Sequence, residues 1–178
     1  MKKIVVLCGS GRRHGNSEQL ADAFIKGAEQ QNQITKITLA DKKIAPCCNC
    51  DYCQNHQGNC AIKDDMGDIF TALQQNDILV LASPVYYLGF SSQLKTVIDR
   101  TYAESAIGRK IQSAILLSVA AKEDQFVTDC MTHSYEQLCD YLGFKNLGMI
   151  TGKGLEKPND IENSQVLVNA FELGKSIV

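Results

Sequence analysis

Two stretches of this chain carry residue types whose spacing could do chemistry. The first is Gly9-Ser10-Gly11-Arg12-Arg13-His14-Gly15-Asn16-Ser17. It lies between an apolar run, Ile4-Val5-Val6-Leu7-Cys8, and a helical pattern that puts Leu20, Ala21, Phe24 and Ala28 on one face. A strand, a Gly/Ser/Asn loop and a helix start make an anion site, because loop N–H groups converge there and the helix adds its partial positive charge. Ser10 and Ser17 add hydroxyls, Arg12 adds a guanidinium, and the loop holds no Asp or Glu to repel an anion. No Lys-Ser or Lys-Thr follows a second glycine, which excludes a Walker loop. Gly9, Gly11 and Gly15 also miss the dinucleotide fingerprint. What remains is a phosphate cradle, set against a bare strand-to-helix turn capped by Ser17.

The second stretch is Cys47-x-x-Cys50-x-x-Cys53-x6-Cys60, part of a total of eight cysteines. Two successive C-x-x-C steps can turn three thiolates toward one centre, and a later fourth can close a [4Fe–4S] site. Zinc sites more often separate two C-x-x-C knuckles by a longer span. Cys48 is surplus to the spacing, and His56 is within reach as an alternative ligand. Cluster, zinc and free or disulfide-linked thiols all stay open on spacing alone. Cys8 reads as a small core residue, Cys130 and Cys139 fall on opposite faces of one helix, and His14 and His133 read as solvated.

The elements that must position these residues alternate along the chain. Ile34-Thr35-Lys36-Ile37-Thr38-Leu39 has the period-2 pattern of an edge strand. Residues 42–63 show little apolar periodicity and form a long loop, a feature that is usually functional in a compact domain. Met66, Ile69, Phe70 and Leu73 mark a helix. Residues 77–83 predict a buried strand stopped by Pro84, and a helix follows over about 92–103. Residues 111–119 predict a further strand, about 123–142 a helix, about 147–151 a fifth strand, and Pro158 opens a last helix. Five strands alternating with five helices predict one α/β domain over residues 1–178, a flavodoxin-like three-layer sandwich with a parallel sheet ordered 2-1-3-4-5. That order places a ligand where strands 1 and 3 part, between the Gly9–Ser17 loop and Pro84-Val85-Tyr86-Tyr87-Leu88-Gly89-Phe90, a loop suited to walling a planar ring. Phe90 serves packing as readily as ligand contact.

Net charge is −2 with no run of Lys or Arg, which argues against nucleic acid and anionic membranes as partners. The longest apolar run is too short to span a bilayer, and the N-terminus enters the first strand without a signal-peptide pattern, so a cytoplasmic protein is expected.

The Gly9-Ser10-x-Arg12-x-x-Gly15-Asn16-Ser17 loop, Ser83-Pro84-Val85-Tyr86-Tyr87 and the helix carrying Leu94-Lys95-x-x-Ile98-Asp99-Arg100 together resemble the NAD(P)H-dependent FMN reductases. With the cysteine loop and Asp64-Asp65-Met66 after it, the resemblance extends to the iron–sulfur flavoproteins. It covers most of residues 2–119, and Gly11 stands where many relatives have Pro. The resemblance implies that Ser10, Arg12, Asn16 and Ser17 hold the phosphate of FMN, and that Pro84, Val85, Tyr86, Tyr87, Leu88 and Gly89 wrap the flavin ring. Ser118 and Ala120 would lie along its other side. It also implies a homodimer or homotetramer, with NAD(P)H as reductant. The expectation is an FMN-binding oxidoreductase passing electrons from NAD(P)H or a protein donor to a small-molecule or protein acceptor. Its rivals are a non-catalytic iron–sulfur/flavin carrier or thiol/metal redox sensor, and a flavin-free hydrolase or binding protein on the same fold.

Overall fold

The computed structural model describes every residue from Met1 to Val178. Its sheet contains β1 (Lys3–Cys8), β2 (Gln33–Thr38), β3 (Ile78–Pro84), β4 (Ser113–Val119) and β5 (Lys145–Gly152). All pairings are parallel and the order is β2-β1-β3-β4-β5, as the alternation of elements predicts. In the three central strands β1, β3 and β4, almost every residue is buried, because helices cover both faces and leave no solvated side. β2 has only exposed and half-buried positions, the mark of its edge place.

The helices are α1 (Asn16–Ala28), α2 (Tyr52–Asn55), α3 (Met66–Gln75), α4 (Ser92–Arg100), α5 (Gln125–Leu142) and α6 (Gln165–Lys175). One core cluster joins the sheet to α3, α4 and α5 through Leu73, Leu94, Val97 and Tyr135. The other joins the opposite face to α1 and α6 through Leu20, Phe24 and Ala170. α1 and α6 cross at two glycines. A Cβ built on Gly27 would lie 2.1 Å from Phe171 O, and one on Gly174 would lie 2.1 Å from Phe24 O. The two backbones touch there, which only glycine permits.

Several boundaries differ from the sequence reading. α1 is capped by Gly15, with Ser17 inside the first turn. α4 stops at Arg100 and continues as a 3-10 segment, Thr101–Ala106. α6 begins at Gln165, seven residues beyond Pro158, because residues 159–164 form turns. The 42–63 loop contains α2, a single turn too short to show periodicity. No helix is long and apolar enough to cross a membrane.

Candidate active site

Parallel strands deliver their loops to one end of the sheet, and the crevice forms where those loops part. A crevice of about 210 Å³ lies there, lined by Ser10, Arg12, Gly15, Asn16 and Ser17 after β1 and by Pro84, Val85 and Tyr86 after β3. Val119, Ala121, Leu155, Glu156 and Pro158 complete the wall. The β1 loop passes so close to α4 that a Cβ on Gly9 would lie 2.8 Å from Leu94 Cβ. Ser91 fixes this approach by donating to Gly9 O at 2.6 Å while its Oγ caps α4 at Leu94 N–H.

The loop after β1 leaves a set of donors open. The N–H groups of Gly11, Arg13, Gly15, Asn16 and Ser17 find no acceptor in the protein. Donors left open at a helix start are the feature that phosphate sites share. Ser17 Oγ makes no hydrogen bond within the chain, and Arg12 has no ion-pair partner, whereas Arg13 is tied to Asp41 at 2.5 Å. Ser10 Oγ instead accepts Arg12 N–H at 3.0 Å and shapes the turn. Asn16 acts as a strap: its Nδ2 donates to Leu155 O at 3.2 Å and Lys157 O at 2.8 Å, joining the phosphate loop to the segment after β5. Its Oδ1 is enclosed with no partner, an acceptor that a hydroxyl donor on a bound group would satisfy. These residues fit the phosphate end of FMN.

The aromatic loop divides in two. Pro84, Val85 and Tyr86 face the crevice. Tyr86 and Gly89 then pair their backbones across a tight turn, and Tyr87 and Leu88 occupy it with φ of +46° and +68°. Tyr87 is fully exposed, and neither it nor Leu88 nor Gly89 lines the crevice. At the end of β4 the crevice takes Val119 and, beyond the strand, Ala121. Ser118 and Ala120, the positions the resemblance suggests, are buried, and Ser118 Oγ pairs with Thr151 Oγ1 at 2.8 Å. Strand alternation by one residue separates the two sets. The wall after β5 had no signal in the sequence reading, which took Pro158 as the start of the last helix.

The cysteine loop lies apart from this crevice. Cys47, Cys48 and Cys50 are exposed, and Cys53 and Cys60 are half-buried; all are free thiols. No three His, Cys, Asp or Glu side chains gather closely enough to hold a metal ion, so the loop as folded does not present a four-thiolate site. Cys48 instead lies beside Cys50. The Tyr52 N–H and the Cys48 thiol hold Cys50 below the usual thiol range, and the same hydrogen bond pushes Cys48 up. Asn49, Asp51 and Gln57 all take positive φ, so the loop is sharply bent.

Its two stems are locked by Arg100, a side chain 1% exposed. Arg100 Nη1 donates to Ala45 O at 2.8 Å and Asp64 Oδ2 at 2.9 Å, while Nη2 reaches Asp64 Oδ1 at 3.2 Å and Cys60 Sγ at 3.4 Å. Asp64 also accepts the Ala45 and Met66 N–H groups. Burial alone would raise the Asp64 carboxyl, but these donors hold it below the usual carboxylate range. Further along, Gln54 Nε2 donates to Tyr102 O and Ser105 Oγ on the 3-10 segment.

Comparison with known proteins places these observations. The model of the family "NADPH-dependent FMN reductase" matches residues 2–146. An iron-sulfur flavoprotein of Methanocaldococcus jannaschii is 30% identical over 98% of this chain and 95% of its own length. Another, of Archaeoglobus fulgidus, is 38% identical over 55% of this chain, and that match spans 44% of the relative. Among solved structures, an NAD(P)H:quinone oxidoreductase from Methanothermobacter marburgensis superposes with a TM-score of 0.75 at 16% identity, covering 98% of this chain and 96% of that one. An FMN-dependent NADH-azoreductase from Bacillus anthracis, in complex with FMN, gives 0.66 at 14% identity, with 98% and 96% covered. At such identities these two structures speak for the fold.

Proposed function

The chain belongs to the NADPH-dependent FMN reductase family of oxidoreductases, and on that premise we propose that its crevice holds FMN and passes electrons from NAD(P)H, or a protein donor, to a small-molecule or protein acceptor. The observation that carries this reading is the set of N–H groups without acceptors around Ser17, facing the same crevice as Tyr86. Bound FMN supplies the redox chemistry, accepting a hydride and returning electrons singly or in pairs. The protein's part is to bind and orient. The loop N–H groups, Ser17 Oγ and Arg12 hold the phosphate. Pro84, Val85 and Tyr86 wall the ring, and Val119 and Leu155 keep water from the closed side. Glu156 is the one acidic side chain in the lining. Assembly as a homodimer or homotetramer belongs to the same reading, a second copy covering the solvent-directed tip at Tyr87; light scattering measures it.

The test is a fluorescence titration with FMN followed by anaerobic addition of NADPH or NADH. Quenching of the flavin, then bleaching with nicotinamide consumption, supports the enzyme. A flavin that ignores both nicotinamides yet is reduced by a ferredoxin-type donor makes the protein an electron carrier.

A second reading concerns the cysteines. Their spacing and the names of the iron-sulfur flavoproteins support a [4Fe–4S] cluster on Cys47, Cys50, Cys53 and Cys60. The separated thiols oppose it, so the loop must draw in for such a cluster to form. Iron and sulfide analysis of protein purified without oxygen decides: near-stoichiometric amounts, lost in Cys50→Ala and retained in Cys48→Ala, support the cluster, and iron-free yellow protein excludes it.

A further inference from the structure

One charged group sits close to the phosphate loop without being part of its lining. Glu18 follows Ser17 in the first turn of α1, its side chain 8% exposed. A carboxylate there adds negative charge beside the place a phosphate would occupy. Each of its oxygens is engaged. Oε2 accepts the His14 N–H at 2.6 Å, and Oε1 accepts Lys36 Nζ at 2.9 Å, with Thr38 Oγ1 at 3.5 Å. Lys36 reaches over from β2 and also holds Asp22 at 2.7 Å.

His14 is where the loop bends, with φ of +55°, a conformation that a non-glycine residue adopts only when its surroundings hold it there. Its N–H is the bond that ties this bend to α1. The unpaired N–H groups of Gly15, Asn16 and Ser17 come directly after it, so the direction they point depends on the bend. We propose that Glu18 and Lys36 are a positioning pair for the phosphate: Glu18 holds the loop in its anion-accepting shape, and Lys36 cancels the charge that Glu18 would otherwise set against the ligand.

The groups facing the pair agree with this. Burial alone would push the Glu18 carboxyl up, yet the hydrogen bonds from Lys36 and His14 hold it below the usual range, so it stays ionised. Burial would likewise lower Lys36, and its bonds to Asp22 and Glu18 raise it instead. Cys8, on β1 beneath them, is pushed up to about 12 by burial and stays a neutral thiol. The cost of a carboxylate in this place is thus met by Lys36 from the edge strand, which it shares with Asp22, and by the His14 N–H.

The inference rests on the FMN reading, and its test separates the two. FMN and riboflavin share the ring and ribityl chain and differ by the phosphate, so affinities for both are measured by fluorescence on the same variants. Lys36 is the residue to change first, because its side chain is 29% exposed and its loss leaves the core intact. Lys36→Met is expected to weaken FMN about tenfold, since an uncompensated charge acts on the phosphate through little solvent. Riboflavin affinity should move less than twofold, and Lys36→Arg should restore FMN. Glu18→Leu, which frees the His14 bend, should also weaken FMN selectively. Equal weakening of both ligands, or an unchanged FMN affinity in Lys36→Met, overturns the pair. If Ser17→Asp also leaves FMN affinity unchanged, the phosphate does not bind in this loop, and the FMN reading falls together with the inference.

Discussion

The crevice draws its lining from four separate segments, each delivered by the end of a strand, whereas the cysteine loop draws its thiols from residues 47–60 alone. In the first case the sheet order fixes which residues meet, and the structure gathers Ser17 and Tyr86 from positions far apart in the chain. In the second, neighbours in sequence stay apart in space, because apart from Cys60, which Arg100 reaches, the loop's own turns decide where the thiols lie. The part of the loop that is firmly placed is the part held from outside, at the Arg100–Asp64 contact. Proximity in sequence and proximity in the fold are therefore nearly reversed between the two regions.

The largest effect is expected at that contact. Arg100→Met leaves Asp64 charged and half-buried with its main partner gone, which should cost about 3 kcal/mol of stability in a denaturant melt. If the regions are independent, the cysteines should be alkylated faster in this variant while FMN affinity is unchanged. A fall in FMN affinity would break the comparison by showing that the loop supports the crevice. Acid should loosen the same contact. Asp64 is held below its ordinary value in the folded state, so its contribution is complete above about pH 4, the unfolded carboxylate value, and fades as pH falls toward the folded one. Alkylation rates against pH, compared with an Asp64→Asn variant, read this out.

Ser17→Asp makes the reverse test. A carboxylate facing the phosphate should weaken FMN by about 2 kcal/mol, well over tenfold, in a fluorescence titration. The fold should persist by circular dichroism, and the thiols should react as before.

Smaller effects divide the aromatic loop. Tyr86→Ala removes a wall of the crevice and should shift the flavin spectrum while weakening binding by about 1 kcal/mol. Tyr87→Ala should leave the monomer's flavin affinity unchanged. Tyr87→Gly should raise stability by up to about 1 kcal/mol, because glycine adopts the positive φ without strain. If Tyr87→Ala weakens FMN as Tyr86→Ala does, the tip folds over the ligand and the division of the loop is wrong.

The sheet order was legible because the three central strands are near-continuous apolar runs, and the alternation of strands with helices leaves few topologies. The open donors of the loop after β1 were foreshadowed because they are mostly backbone groups, which Gly9, Gly11 and Gly15 advertise. The roles of single side chains were harder to read. Asn16 spends its amide on two carbonyls more than a hundred residues away, and no local pattern signals such a partner. Ser118 and Val119 differ by one step of strand alternation, which apolar runs buried on both faces do not reveal. Arg100 could be read as the end of a helix motif but not as the clasp of a distant loop, since that contact exists only once α4 and the loop have packed.

The touching backbones of α1 and α6 set a limit on how this protein can be shortened or varied. α6 lies beyond residue 146, where the family match ends, yet its Gly174 sets how closely it can lie against the helix whose start carries the open N–H donors. Adding a single methyl at Gly27 or Gly174 would wedge the two helices apart, and the resulting tilt would be carried along α1 as by a lever to its anion-facing end. Sequence drift at either glycine is thus constrained by a crevice that neither one lines, and cutting the chain after the matched region would remove the fulcrum along with the last helix.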